Sequence, residues 1–338
     1  MKKATNVIII IFLVLSVNVL FAQTNDFYDD AETVKLPQPA IEITGEVENP
    51  GKADLSSLPL RSVIVKETVL KDESNKFTGA YRYDGYSLND ILNLTVLKKK
   101  NAAEFPPIID LYVEIENAKG EKVVFSWGEI FYPIHRNEII IATQVARIVP
   151  SKTKELWPLP AESKIVAAAD LLTERNISSP TKITVKSYSG NFVINKGMKP
   201  LYAPAFSILK ADTKLTEMNM LPENQVLYNY PAIFYGRGTG IHSIVPFSGV
   251  LLKDLLAGYF GITVNDLRRG LFIITGKDGY HAAFTFSEIM NRNDQAEFLV
   301  IPTKKDEDGG AFKVFPAADF FSDRAIKSVE SIKYDLVR

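Results

Sequence analysis

Short apolar runs separated by turns make up most of this chain. Two runs of β-branched and aromatic residues flank residues 118–120 (AKG), and a similar pair flanks residues 277–279 (KDG). Because glycine readily adopts the positive φ that tight turns need, each pair predicts a β-hairpin. Ser126 and Thr285 follow the hairpins, each three residues before a glutamate, and this spacing predicts the capped start of a short helix.

A second recurring pattern predicts a turn followed by a short helix. Gly85 precedes Leu88, Ile91 and Leu92, which recur at helical spacing. Ser87 is a suitable N-cap residue for this helix. Short strands, hairpins and single-turn helices in this mixture favour an α+β protein over a parallel doubly wound sheet.

These patterns recur in one order along the chain, which indicates an internal repeat. The matching pairs are residues 83–92 with 247–256, 115–131 with 274–290, and 164–175 with 313–324. We therefore divide the chain into a first copy, residues 40–188, and a second copy, residues 189–338.

The N-terminal residues have the pattern of a signal peptide. Lys2 and Lys3 precede an apolar run at residues 7–15, and a small residue, Ala22, follows. We expect a signal peptide at residues 1–22, a lead-in segment at 23–39, and a periplasmic or secreted protein with no membrane span after cleavage. A retained N-terminal anchor is the alternative, because Leu20 fits the cleavage rule poorly.

Composition narrows the chemistry. The 338 residues include no cysteine, so disulfides, thiolate metal ligands, a cysteine nucleophile and a lipid-modified cysteine are all excluded. The formal net charge is −1, and the densest basic cluster, Lys98 to Lys100, suits a solvated surface, which argues against a nucleic-acid partner.

Several segments match the pattern of one known family. Residues 43–51 (ITGEVENPG) predict an opening strand and turn, and blocks 85–92 and 249–256 share a glycine-x-x-leucine helix start. These segments resemble the oxidoreductase molybdopterin-binding domain, the catalytic domain of the sulfite oxidase superfamily. Residues 240–249 line up with its cofactor loop and the following helix, with Phe247 where the family usually has tryptophan. The resemblance implies two tandem copies of this α+β fold, mainly short strands and hairpins with short helices.

The chain departs from that family at the metal ligand. The family binds molybdenum through a pterin dithiolene and one cysteine, which would fall within residues 65–71 of the first copy or 228–236 of the second. Neither segment contains a cysteine. Because a soft thiolate holds the metal in the family, the resemblance implies a scaffold that has lost this chemistry.

The densest group of candidate ligand-binding residues lies at residues 228–242, where three glycines follow a run of aromatics. Backbone amides in such a loop can surround an anion, and aromatic faces can stack on a planar ring. The candidate ligand-binding residues are Tyr230, Tyr235, Arg237, Gly238, Gly240 and His242. The alternative is that the aromatics are strand residues in a core and that the glycines form a flexible loop.

Other polar residues suit structural roles. None of the three histidines sits at metal-ligand spacing with another, and His281 follows a hairpin turn, as a surface residue would. Glu129 and Glu288 recur at matching places, which favours helix capping over acid and base catalysis. No metal site and no catalytic residue are predicted.

The sequence thus favours an exported, non-catalytic protein that binds a small planar or anionic ligand through residues 228–242, without a predicted cofactor. One alternative is a molybdopterin-dependent oxidoreductase with a non-cysteine metal ligand. Another is a structural partner of a protein complex in the cell envelope.

Overall fold

The computed structural model describes residues 32–303 and 309–338. Of these residues, 43% lie in strands and 11% are helical, and the small sheets form a ring of four that resembles a propeller. The expected tandem α+β fold of the sulfite oxidase type is therefore wrong. The signal peptide expected at residues 1–22 lies outside the described residues.

Between residues 32 and 188, the structure contains ten strands, two short helices and a single 3₁₀ turn at Leu55–Ser57. The elements are β1 (Val34–Lys35), β2 (Glu42–Gly45), β3 (Gly51–Lys52), β4 (Arg61–Lys71), β5 (Ser74–Ser87), α1 (Leu88–Leu92), β6 (Leu111–Asn117), β7 (Lys122–Ser126), α2 (Trp127–Phe131), β8 (Ile139–Arg147), β9 (Lys164–Ala167) and β10 (Pro180–Ser187). One sheet has the order β1-β8-β5-β4, with β9 also paired to β8, and the other has the order β3-β2-β10-β6-β7.

The described part of the second half, residues 189–303 and 309–338, contains eleven strands, three short helices and a 3₁₀ turn at Ser322–Arg324. The elements are β11 (Phe206–Lys210), β12 (Thr213–Met218), β13 (Tyr228–Tyr230), β14 (Phe234–Gly236), β15 (Gly240–Ser243), β16 (Phe247–Leu251), α3 (Leu252–Ala257), α4 (Val264–Arg269), β17 (Gly270–Gly276), β18 (His281–Thr285), α5 (Phe286–Met290), β19 (Phe298–Pro302), β20 (Phe312–Pro316) and β21 (Val329–Leu336). Its sheets have the orders β12-β11-β21-β17-β18 and β13-β16-β19-β20, and β14 and β15 form a separate hairpin.

The two halves pair their strands in the same order. Strand β10 lies between a parallel neighbour, β2, and an antiparallel neighbour, β6, while β21 lies in the same way between β11 and β17. The second sheet differs at one place. Strands β4 and β5 form one long hairpin, whereas β13 is short and the chain between β13 and β16 adds the β14–β15 hairpin.

The expected hairpins and caps are confirmed. Gly120 and Gly279 both adopt positive φ, at 79° and 81°, in the turns that join β6 to β7 and β17 to β18. Ser126 with Glu129, and Thr285 with Glu288, each form a complete capping box, and the Ser87 side chain caps α1.

The helices explain why the α+β expectation failed. Each α-helix spans only five or six residues and directly continues or adjoins a strand. The helical spacing of Leu88, Ile91 and Leu92 therefore marks a single buried turn rather than part of a helical layer. No helix in the described ranges is long and apolar enough to cross a membrane.

The halves share their packing. The largest apolar core lies mainly in the second half, but it includes Phe105, Ile109, Tyr132 and Leu172 of the first. Isolated bridges also join Pro133 to Asp319 and Asp170 to Arg292 across the junction. The ring is therefore closed by contacts between the halves as well as within them.

Candidate functional site

The predicted binding residues lie on and around the β14–β15 hairpin, and two of them line an open cleft of about 580 Å³. We call it the aromatic cleft. It is lined by Ile134, Tyr230, Pro231, Ala232, Ile233, Tyr235, Ile241, Gln295, Phe315, Ala317, Asp319 and Phe320. Rings and aliphatic side chains thus dominate its walls.

The aromatic rings of the cleft are fixed by contacts with one another. The Tyr235 ring centroid lies 5.6 Å from that of Phe320 and 6.1 Å from that of Phe321. Tyr230 ends β13, where it is partly buried against the small core of the sheet β13-β16-β19-β20. The cleft therefore has both features considered from the sequence: Tyr230 and Tyr235 are strand residues, and both line a concave surface.

Arg237 does not line the aromatic cleft. Its Nε lies 3.2 Å from the carboxylate of Asp323, and its guanidinium carbon lies 5.8 Å from the ring centroid of Tyr132. Because that carboxylate already neutralises it, Arg237 is a weaker anion site than an unpaired arginine would be.

The remaining predicted residues form the tip of the hairpin. Gly238 and Gly240 lie in open space, and Gly240 has φ of 79°. The His242 Nε2 hydrogen-bonds the Thr239 hydroxyl at 2.8 Å and does not reach the cleft. The structure thus brings Tyr230 and Tyr235 together in one cleft, and it leaves Arg237, Gly238, Gly240 and His242 beside it.

A buried charged cluster lies at the junction between the halves, and sequence reasoning did not identify it. We call it the interface cluster, and its members are Glu129, Asp170, Arg175, Glu288, Asp319 and Arg324. Arg175 binds Glu129 at 2.9 Å and Asp170 at 2.6 Å. Arg324 binds Glu288 and Asp319, both at 2.6 Å.

The two halves of the cluster are linked reciprocally. The Ser126 hydroxyl, which caps α2, donates to Glu288 of the other half at 2.7 Å. The Thr285 hydroxyl, which caps α5, donates to Glu129 of the first half at 3.0 Å. Each capping glutamate therefore contacts three groups: the start of its own helix, the arginine of its own half and the capping hydroxyl of the other half.

Burial and charge set the ionisation of this cluster. Burial, together with the nearby Glu288, raises the pKa of Glu129 to about 7, against the attraction of Arg175. Burial likewise raises the pKa of Asp319 to about 6, against the attraction of Arg324. Burial disfavours the charged form of Arg175, but Asp170 and Glu129 outweigh that effect and raise its pKa.

The repeat contained a signal for this cluster. Asp170 and Arg175 of the first block match Asp319 and Arg324 of the second, within segments that are otherwise largely apolar. Charged residues that recur inside apolar segments indicate buried ion pairs, because an unpaired charge in such a place is strongly unfavourable.

His281 is buried, so the expectation of a surface hairpin residue is wrong. Its ring is stacked between Phe105 at 4.0 Å and Phe192 at 3.7 Å. Nδ1 lies 2.8 Å from the Gly279 carbonyl oxygen, while Nε2 lies 3.9 Å from Asp110. Burial lowers the pKa of His281, which favours the neutral ring between two apolar faces.

Metal ligands are not grouped in the described ranges: no set of three His, Asp or Glu side chains there is placed to hold a metal ion. The geometry instead offers a cleft of aromatic and aliphatic surface that shares Asp319 with the buried interface cluster. Comparison of the sequence with models of known protein families and with curated proteins gives no match.

Proposed function

We propose that this chain is an exported binding protein whose aromatic cleft holds a small, planar and largely apolar ligand. The observation that carries the proposal is the cleft itself, where the rings of Tyr230, Tyr235 and Phe320 surround a volume of about 580 Å³. Such a volume suits a small organic molecule, and concave apolar sites with a few polar groups are typical of ligand pockets. Export is proposed from the N-terminal sequence pattern alone.

Exposed aliphatic surface supports an apolar ligand. Ile134, Ile233 and Ile241 line the cleft, yet they are 64%, 68% and 63% exposed, and Phe320 is 52% exposed. Covering such surface is favourable by roughly 25 cal/mol per Å². A ligand that lies against these side chains therefore gains affinity mainly from apolar contact.

The charged residues in and around the cleft favour a neutral planar ligand over an anionic one. Asp319 is the charged side chain among those that line the cleft in the described ranges, and both its oxygens accept hydrogen bonds from Arg324. Arg237 is paired with Asp323 outside it. The cleft is thus close to neutral, and ring stacking is left as its main means of recognition.

A neutral fluorescent probe, N-phenyl-1-naphthylamine, tests this function. We expect saturable binding to the full chain, with a rise in melting temperature. Tyr235→Ala should weaken binding by about tenfold, since one aromatic contact contributes about 1 kcal/mol beyond its area. Tyr259→Ala, an exposed tyrosine outside the cleft, is the matched control. Equal binding by the wild type and the Tyr235→Ala variant would overturn the proposal.

A second candidate function, a protein partner in an envelope complex, has its own observation. Four aliphatic side chains next to strands of the cleft in sequence are also exposed, namely Val226 and Leu227 before β13 and Ile244 and Val245 after β15. Contiguous exposed apolar surface is typical of interaction sites. Under this alternative, Ile244→Ser with Val245→Ser releases a co-purifying protein and leaves the naphthylamine affinity unchanged. The molybdopterin alternative depended on the sulfite oxidase fold and is withdrawn with it.

A further inference from the structure

A second open cleft, of about 660 Å³, lies at the junction of the halves, where first-half residues meet residues 262–264 and 290–291 of the second half. Leu171 and Leu172 line it, and they occupy the repeat positions of Phe320 and Phe321. Met290 of α5 also lines it and occupies the repeat position of Phe131 of α2. We call it the aliphatic cleft, because methyl and thioether groups replace the rings.

The tip of the β4–β5 hairpin closes one side of the aliphatic cleft with two acidic residues. Asp72 and Glu73 line the cleft and are both exposed. Neither forms a hydrogen bond or an ion pair with any residue in the part of the chain that the structure describes. No lysine, arginine or histidine lines this cleft within the same ranges. The electrostatic potential in the aliphatic cleft is therefore negative, while the side chains at its base are apolar.

The acidic residues occupy a turn that favours other residues. Lys71 pairs with Ser74, so Asp72 and Glu73 form a two-residue hairpin loop, with φ of 49° and 58°. Such turns favour Asn-Gly, because two successive residues must adopt positive φ. A glutamate at the second position is thus unfavourable for the turn, while it adds a negative charge to the cleft.

We propose that the aliphatic cleft binds small organic cations, of the class of a protonated amine with an apolar chain. The chain lies against Leu171 and Ile262, which are 51% and 44% exposed, and the ammonium group lies near Asp72 and Glu73. This site is independent of the proposed function, because the aromatic cleft lies elsewhere and has a different lining.

The aromatic and aliphatic clefts differ in charge, so their affinities for a cation can be compared within one molecule. In the aromatic cleft Asp319 is neutralised by Arg324, so that cleft offers no free carboxylate to a cation. In the aliphatic cleft both carboxylates are free to meet one. Cation binding should therefore depend on the aliphatic cleft alone.

The test uses the full chain and n-octylammonium below its micelle concentration, with 1-octanol and octanoate as probes of matched length. We expect octylammonium to bind more tightly than either, with an affinity that falls as salt is added. The double variant Asp72→Asn with Glu73→Gly keeps a turn of the favoured Asn-Gly type. It should bind octylammonium about tenfold more weakly while its melting temperature rises, because the turn is relaxed.

Two further variants separate this site from the rest of the molecule. Leu171→Gln removes apolar contact at an exposed position and should also weaken octylammonium binding. Tyr235→Ala should leave octylammonium binding unchanged, just as the Asp72 and Glu73 double variant should leave naphthylamine binding unchanged. Absence of octylammonium binding, equal binding of octanol, or full affinity in the double variant would each overturn the proposal.

Discussion

The interface cluster contains more buried acid than buried base. Four carboxylates share two guanidinium groups, Arg175 and Arg324, and the nearby Arg292 is bound to Asp294. A buried negative charge without a matching cation is unfavourable, so a carboxylate of the cluster binds a proton more readily than it would in water. Burial is the main cause of the raised pKa values of Glu129, about 7, and Asp319, about 6, and repulsion by the other carboxylates adds to it.

This imbalance predicts that the folded protein is more stable in mild acid. The pKa of Glu129 is about 7 in the fold against an ordinary 4.5, so the folded state holds its proton more tightly than the unfolded state does. The contribution of that proton to stability is full below the ordinary pKa and is lost as pH rises through about 7. Lowering the pH from about 8 to about 5 should raise the free energy of unfolding by roughly 2 kcal/mol through Glu129, and Asp319 adds to the rise in the same direction.

Urea unfolding at a series of pH values measures this effect. Glu129→Gln, which cannot titrate, should lose most of the rise, whatever its absolute stability. Glu104→Gln changes an exposed carboxylate and should keep the rise. A parallel pH dependence in the wild type and the Glu129→Gln variant would show that Glu129 is ionised throughout this range.

At the scale of the element, the sequence pattern identified two glycines that the fold requires, Gly85 and Gly249, but it predicted the wrong structural role for them. We expected a turn at each, yet Gly85 lies within β5 and Gly249 within β16. A Cβ on Gly85 would collide with the carbonyl oxygen of Ile141 in β8, and one on Gly249 would meet that of Val300 in β19. The close approach of neighbouring strands, which a single segment of sequence does not reveal, requires these glycines.

Gly85→Ala should therefore destabilise the protein by about 1–3 kcal/mol, because β5 and β8 must move apart to admit the methyl group. Gly258→Ala is the control, since Gly258 has no atom within contact of an added Cβ and adopts a helical φ of −70°. It should leave stability unchanged or raise it slightly. Denaturant midpoints for the two variants check the difference, and equal midpoints would contradict the packing argument.

Local elements were more predictable than their arrangement. Hairpins and capping boxes follow from neighbouring residues, and the structure contains them. The arrangement of four sheets depends on pairings between distant segments, such as Ile183 with Ile43, which short motifs do not specify. For the same reason, the sequence placed Tyr230 and Tyr235 near a site but missed Phe320 and Ile134, which reach the cleft from elsewhere in the chain.

At the scale of the whole molecule, the junction makes the two halves a single unit. First-half residues enter the largest core, and the capping hydroxyls Ser126 and Thr285 each donate to a glutamate of the opposite half. Separating the halves would leave these carboxylates and arginines in poorly paired surroundings. We therefore expect one cooperative unfolding transition for the chain rather than two.

The two tryptophans make this cooperativity measurable. Trp127 and Trp157 both lie in the first half, so fluorescence reports that half alone, while far-ultraviolet circular dichroism reports both. In urea, the two signals should share one midpoint.

Arg324→Met changes only the second half, yet it should move both midpoints together. It should reduce stability by about 3–5 kcal/mol, since it leaves Glu288 and Asp319 buried without their cation. Lys214→Met removes an exposed ion pair and should change little. A fluorescence midpoint that stays in place while the dichroism splits into two steps would mean that the halves unfold independently.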